Sequence, residues 1–383
     1  MTIVKESAPH LRRKASVTRM MVDVLIALAP TFIFAFFIYP LQTLIFYLIS
    51  VGVMEAAEFV FVGLKNMMPA DGQKHSFKER FVYAYKGKYN QNNILTAAIS
   101  AIIFTLIMPA GAPIYSVIIG ALVGITFGKL VFGGLGSNIF NPAAVGMIFA
   151  KVCFFGGDQY QKFVEPNFSY YSVANVDVSP TILTNVSDGS LNGLISNFNS
   201  ANYLDMFLGK MNGTLGEVYA VTIIIGAIYL LIRRSADFRV MLPYLGTFTL
   251  LSLVAGLGFY VVDGTTNPFL FALFSLLSGG VLFGGVFMLT DPVTSPINAP
   301  SRIIYAMVAA VSTVFIRLFA ALPEGVGFSI LIANMIAVVL DHYEWSNPRY
   351  SWKKLLAMGL LLVIPALIIF FAIGFGGESV YHG

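Results

Sequence analysis

Four acidic residues lie inside or at the edge of long apolar runs of this 383-residue chain: Asp23, Glu55, Glu58 and Glu217. A carboxylate in hydrocarbon is costly unless it is paired, hydrated or protonated, so each is a candidate for an ion pathway. Glu55 and Glu58 stand three apart on one helix face, a spacing that suits cation coordination or a proton relay; pairing with a loop lysine is the plainer alternative. Asp23 lies one turn from Arg19 and has an ordinary ion pair open to it. Glu217 follows Gly213-Thr214-Leu215-Gly216, where an acid at a helix N-terminus also serves as dipole capping.

A second set of residues recurs. The string FGGLGSNIFNPAA, containing Gly133, Gly134, Asn138 and Asn141, follows one apolar run; FGGVFMLTDPVTSP, containing Gly285, Thr290 and Asp291, follows another. Glycine admits close approach of a backbone or a flat ligand, and the residue before a proline is pushed off helical geometry, which frees carbonyls. Both strings therefore read as helix breaks. Broken helices at membrane depth occur where they line a cavity or are buried in protein, so paired breaks in two halves point to a site between them. The alternative is a pair of turns at the membrane surface.

The elements that must position these residues follow from composition. The chain is 57% hydrophobic and 11% charged, with a mean hydropathy of +0.80. That composition predicts an all-α polytopic membrane protein with about 10–11 transmembrane helices in two similar halves with broken helices. Candidate spans are 20–39, 41–64, 94–108, 113–131, 138–155, 216–232, 240–261, 267–289, 303–320, 326–340 and 354–374. With a cytoplasmic N-terminus, 19 of the 23 lysines and arginines fall inside, and only Lys151, Lys162, Lys210 and Arg317 fall outside. The expected organisation is a cytoplasmic segment 1–19, a first membrane half 20–155, an outer loop 156–215, a second half 216–374 and a tail 375–383. On this count the two breaks share one orientation; an inverted repeat would need a short run such as 94–108 to be re-entrant.

Several chemistries are excluded. The basic residues are spread over separate short loops, which excludes a nucleic-acid-binding stripe. His10, His75, His342 and His382 lie outside the apolar runs, so no haem is held between helix histidines, and the lone Cys153 forms no internal disulfide or cysteine-ligated cluster. No glycine-rich dinucleotide fingerprint opens a βαβ unit.

The residues also carry a family resemblance. The opening PHLRRKASVTRMMVDVLIALAP, then FGGLGSNIFNPA, LDMFLGKMNGTLGE, FMLTDPVTSP and NMIAVVLD (Asn334 to Asp341) occur in the expected order over nearly the whole chain. Together they resemble the RnfD/NqrB family, the membrane component shared by the Rnf ferredoxin:NAD oxidoreductase and the sodium-pumping NADH:quinone oxidoreductase; the N-terminus favours the Rnf type. The resemblance implies a bacterial inner-membrane redox protein working with the other components of its pump. It also implies FMN joined through its phosphate to a threonine of the outer loop by a flavin transferase, riboflavin held non-covalently among the helices, and electron transfer coupled to Na⁺ or H⁺.

The family's attachment pattern, roughly Ser/Thr-Gly-Ala-Thr, is absent. Thr181, in Asp177-Val178-Ser179-Pro180-Thr181, is the first choice for covalent FMN, Ser190 the alternative and Thr184 a distant third. Gly133, Gly134, Asn138, Thr290 and Asp291 are the candidates for the non-covalent flavin or a quinone. A secondary transporter without redox cofactors is the competing reading, since similar halves and buried acids suit a permease too. A structural scaffold ranks last, because it leaves the buried acids unexplained.

Overall fold

The computed structural model describes residues 17–67, 77–86, 88–154, 203–209, 213–320, 325–342, 345 and 347–380. The loop candidates Thr181, Thr184 and Ser190 lie outside the described residues. Fourteen α-helices are named here among the described residues: α1 Val17–Ile38, α2 Pro40–Asn66, α3 Phe77–Tyr85, α4 Gln91–Ile107, α5 Ile114–Ile125, α6 Pro142–Phe154, α7 Tyr203–Leu208, α8 Ala220–Arg233, α9 Phe238–Asp263, α10 Pro268–Leu277, α11 Val281–Phe283, α12 Ala299–Phe319, α13 Val326–Leu340 and α14 Trp352–Val380. Among the described residues there is no strand, only an isolated bridge between Pro109 and Thr214.

Each of the eleven expected runs corresponds to a helical element, but their lengths fall into two classes. Helices α1, α2, α9, α12 and α14 are long and apolar enough to cross a membrane; α10 and α11 together form a sixth candidate, bent by 67°. The remaining five are shorter: α6 has 13 residues and α8 has 14. At about 1.5 Å per residue such helices reach roughly 20 Å, short of a hydrocarbon core near 30 Å. Buried irregular backbone supplies the remaining depth, which is permitted only where protein satisfies its polar groups. Residues 214–219 illustrate this: all are buried, and the Leu215 and Gly216 amides donate to Met108 O and Leu106 O, carbonyls freed at the end of α4.

Local sequence sets the helix starts. Pro40 and Pro268 occupy first-turn positions where a missing amide is harmless, and Asn267 caps α10 by accepting from the Phe269 and Leu270 amides. Asn90 and Asn93 form a reciprocal capping box at α4. Asn141 opens α6, its Oδ1 accepting from the Ala143 and Ala144 amides. Helices α1 and α8 lie antiparallel, pinned by Thr31 to Thr222 and by Asp23 to Arg233.

Close packing places α5 against α6. A Cβ on Gly124 would stand 2.6 Å from Pro142 O, and one on Gly146 would stand 2.5 Å from Gly120 O. These glycines are there for backbone contact, as small residues are at membrane helix interfaces.

The break at Ser278–Gly280, between α10 and α11, was not expected in a run read as one span. Gly279 takes φ +67, and Arg317, counted from the sequence among the four charges on the outer side, is buried beside the break. Its guanidinium donates to Ser275 O and Ser278 O at 2.8 and 3.0 Å, capping the carbonyls at the end of α10.

Candidate functional site

Both expected breaks exist, and they are built alike. Helix α5 ends in a π-helical turn, Thr126–Leu130, and α11 runs into another, Gly284–Met288. Each is closed by the same wide hydrogen bond, Val131 N to Thr126 O and Leu289 N to Gly284 O. Non-helical stretches follow, 131–141 and 289–298, before α6 and α12 begin. Such wide turns are rare and cluster at functional sites.

The structural register differs from the string register. The first Phe-Gly-Gly, 132–134, lies beyond its π turn, whereas the second, 283–285, lies within one. Aligned on the two π turns and their closing bonds, Phe283-Gly284 corresponds to Ile125-Thr126. Gly133 and Gly134 have φ of +120 and +93, which only glycine adopts at low cost. They do not line the cavity: the Gly133 carbonyl accepts from Lys65 Nζ at 2.8 Å, and Gly134 faces Phe61.

The two breaks meet. Asn141 Nδ2 donates to Met288 O across 147 residues of sequence, and Asn138 and Asp291, one from each break, border the same cavity. Between them lies a cavity of about 510 Å³. Its polar wall includes Asn92, Thr96, Lys129, Asn138, Thr290 and Asp291, and the first turns of α1 form an apolar side through Val17, Met20 and Val24. The start of α4 and the C-terminal ends of α5, α8 and α11 all border it, so both breaks sit at the end of the bundle where α1 begins. This agrees with copies of one orientation.

Asp291 is held by its own turn, accepting from the Val293 amide and the Thr294 hydroxyl. The Thr290 hydroxyl is committed to Val286 O at 2.5 Å, which leaves Thr290 a wall residue rather than a free donor.

A buried polar cluster adjoins the cavity. Lys129 and Glu58, 2% and 1% exposed, form an ion pair of 2.6 Å. Lys129 also donates to Thr96 Oγ1 at 2.7 Å, and Asn93 Nδ2 donates to the other Glu58 oxygen at 2.9 Å. Glu55, one turn away, accepts from the Tyr89 hydroxyl at 2.9 Å, while its Oε1 has no hydrogen-bond partner among the described residues. Tyr89, in the connection before α4, has its hydroxyl pushed above the usual phenol range by burial and then by Glu55. Pairing of the helix acids with a lysine was the expected alternative, but the lysine is Lys129 of the π turn and not a loop residue. The wide turn carries it inward.

The other two acids separate from this cluster. Asp23 is paired with Arg233 at 3.1 Å and accepts from Ser235 at 2.7 Å and Tyr229 at 3.2 Å, which corrects the expectation of an Arg19 partner. The sequence-distant α8 end wins because it packs antiparallel on α1. Glu217 precedes α8 instead of starting it, so the capping role does not apply. Its side chain lies against the α10–α11 break, where a Cβ on Gly280 would stand 2.5 Å from its Oε2, beside a second cavity of about 20 Å³. Thus Lys129, Asn92 and Thr96 join the site although their sequence context marked none of them; an Asn-x-x-x-Thr spacing at the start of α4 was the available signal.

The sequence profile described as the NQR2, RnfD, RnfE family matches residues 4–349. The chain belongs to this family. Members with curated descriptions include the D component of the proton-translocating ferredoxin:NAD(+) oxidoreductase complex of Clostridium ljungdahlii, 29% identical over 343 residues, or 88% of this chain and 93% of that protein. The D component of the Na(+)-translocating ferredoxin:NAD(+) oxidoreductase complex of Acetobacterium woodii is 27% identical over 345 residues, 90% and 94% of the two chains. The B component of the Na(+)-translocating NADH-quinone reductase of Chromohalobacter salexigens is 34% identical over 252 residues, 64% of this chain and 57% of that protein. The match therefore spans just over half the length of the quinone-reductase relative and nearly all of the ferredoxin-type relatives.

Proposed function

We propose that this chain is the flavin-carrying electron-transfer subunit of a redox-driven Na⁺ or H⁺ pump, of the Rnf ferredoxin:NAD type or the related NADH:quinone type. The observation that carries this reading is the meeting of two like helix breaks on one cavity. Its volume of about 510 Å³ falls within the roughly 300–1,000 Å³ of small-molecule sites. Its mixture of apolar wall and convergent polar groups fits riboflavin or a similar flat ring. Asn138 and Asp291 would bond the ring's polar edge, and the apolar first turns of α1 would cover its face. A bound flavin supplies one- and two-electron transfer, and the protein supplies position and electrostatics. The near-full-length correspondence with the ferredoxin-type relatives favours the Rnf complex.

In this reading the N-terminus is cytoplasmic in a bacterial plasma membrane, and the 156–215 loop is extracytoplasmic. Thr181 carries FMN through a phosphoester made by a flavin transferase, with Ser190 as the alternative. The ion path draws on the buried acids: Glu55 and Glu58 at the cavity end, Glu217 at the opposite end, with Asp23 reduced to a structural pair. One curated relative is named for protons and another for Na⁺, so the family fold serves both ions.

Flavin fluorescence of the denatured chain in a gel, after co-expression with the transferase, tests the covalent assignment. A fluorescent band lost in Thr181→Ala is the expected result. Loss only in Ser190→Ala moves the attachment to Ser190. A dark band, where a control flavoprotein is labelled, contradicts covalent attachment.

A further inference from the structure

Lys129 is the only cationic side chain on the cavity wall among the described residues, and it is also the partner of Glu58. We infer that Lys129 is a charge-coupling residue: it holds Glu58 while the cavity's occupant is oxidised and turns toward that occupant when it gains negative charge. This deepens the flavin reading above and rests on it.

Three observations support the assignment. The lysine sits on a π turn, so its side chain faces both α2 and the space between the breaks. Only two of its three ammonium donors are engaged among the described residues, with Glu58 and with Thr96. The charges that face it come from two directions: Glu58 and Glu55 on α2, and Asp291 on the second break. In a poorly hydrated interior such interactions are screened far less than in water. A negative charge appearing in the cavity therefore competes directly with Glu58 for one cation.

The charge balance is simple. Two electrons from the pump's reduced donor, ferredoxin or NADH in the proposed reading, plus one proton leave one negative charge on a flavin ring. Lys129 compensates it. Glu58 then retains only the Asn93 amide, and the carboxylate, beside Glu55 with its unbonded Oε1, takes up a proton or Na⁺. When the two electrons leave to the pump's acceptor and the ring gives up its proton, Lys129 returns to Glu58 and the cation bound there is released. Glu58 is thus a positioning partner, and Lys129 the group that faces the occupant.

The test is a reductive titration, with dithionite and redox mediators, of full-length protein made without the flavin transferase, so that only non-covalent flavin contributes. Lys129→Gln alone leaves Glu58 buried without its cation and risks misfolding, so Glu58→Gln is compared with the Glu58→Gln, Lys129→Gln double variant. The single variant frees the lysine for the ring, and its potential should rise by at least a tenfold change in equilibrium, about 30 mV for a two-electron couple. The double variant should fall back by at least as much. The wild-type potential should also fall with pH more steeply than the roughly 30 mV per unit set by the ring's own proton, or depend on Na⁺, and Glu58→Gln should lose that excess slope or Na⁺ dependence.

Equal potentials in the two variants, with flavin bound in both, overturn the role of Lys129 and leave the flavin reading standing. Folded wild-type protein without flavin overturns both.

Discussion

Lys129→Ala is expected to lower the thermal midpoint of the purified protein more than any other single change at the cavity. The substitution leaves Glu58, 1% exposed, with the Asn93 amide as its one remaining partner among the described residues. Removing one member of a buried ion pair costs about 3–5 kcal/mol, because the survivor stays desolvated and uncompensated. Glu58→Ala should cost a similar amount for the mirror reason. Replacing both, as Glu58→Met with Lys129→Met, should recover most of the loss, since well-packed apolar pairs often match a buried ion pair in stability. Thermal unfolding in detergent of the two single variants and the double variant checks this. Additive losses in the double variant would show that the residues do not act as a pair.

Gly124→Val should be more damaging to assembly than to any one contact. Its Cβ would meet Pro142 O at 2.6 Å and the Gly146 backbone at 3.0 Å, and neither neighbour is a side-chain end that can swing away. Overpacking commonly costs about 1–3 kcal/mol when side chains can yield; here whole helices must separate, so the expected loss lies at the top of that range or above it. Because α5 against α6 fixes the first break, the cavity should be lost with the fold. Gly52→Ala, on α2 where nothing lies within 4 Å of an added Cβ, is the control and should purify like wild type. Yield of monodisperse protein by size exclusion separates the two outcomes.

The fold was largely readable because hydrocarbon imposes a simple rule on composition and length. All eleven apolar runs became helices, including those too short to cross on their own. Their brevity was visible at 94–108 and 326–340, but not what compensates for it. Residues 214–219 fill depth by borrowing carbonyls from α4, a contact between segments more than 100 positions apart that no local pattern encodes. The break at Gly279 was hidden for a related reason: Ser278-Gly279-Gly280 reads as tolerable inside an apolar run, and the Arg317 that caps the freed carbonyls arrives from α12, far along the chain.

The site was legible in part. Asn-Pro and Asp-Pro marked both breaks, and Asn138, Thr290 and Asp291 border the cavity between them. Gly133 and Gly134 were chosen because a matching string implied a matching place, yet the π turns shift the copies by several residues. Lys129, near the end of the 113–131 run, was counted only among the cytoplasmic-side charges; a π turn, which has no sequence signature of its own, carries it inside. Asp23 found its partner on α8 because tertiary pairing overrode the nearer Arg19.

The most direct measurement is the amount of flavin released by acid from the purified, folded chain, separated by chromatography, for the wild type and for Ser100→Phe, which fills the cavity from α4. Stoichiometric non-covalent flavin in the wild type, lost in Ser100→Phe while the variant stays folded and monodisperse, is the predicted result. Folded wild-type protein that releases no flavin, or equal flavin in the variant, would contradict the assignment of this cavity as a flavin site.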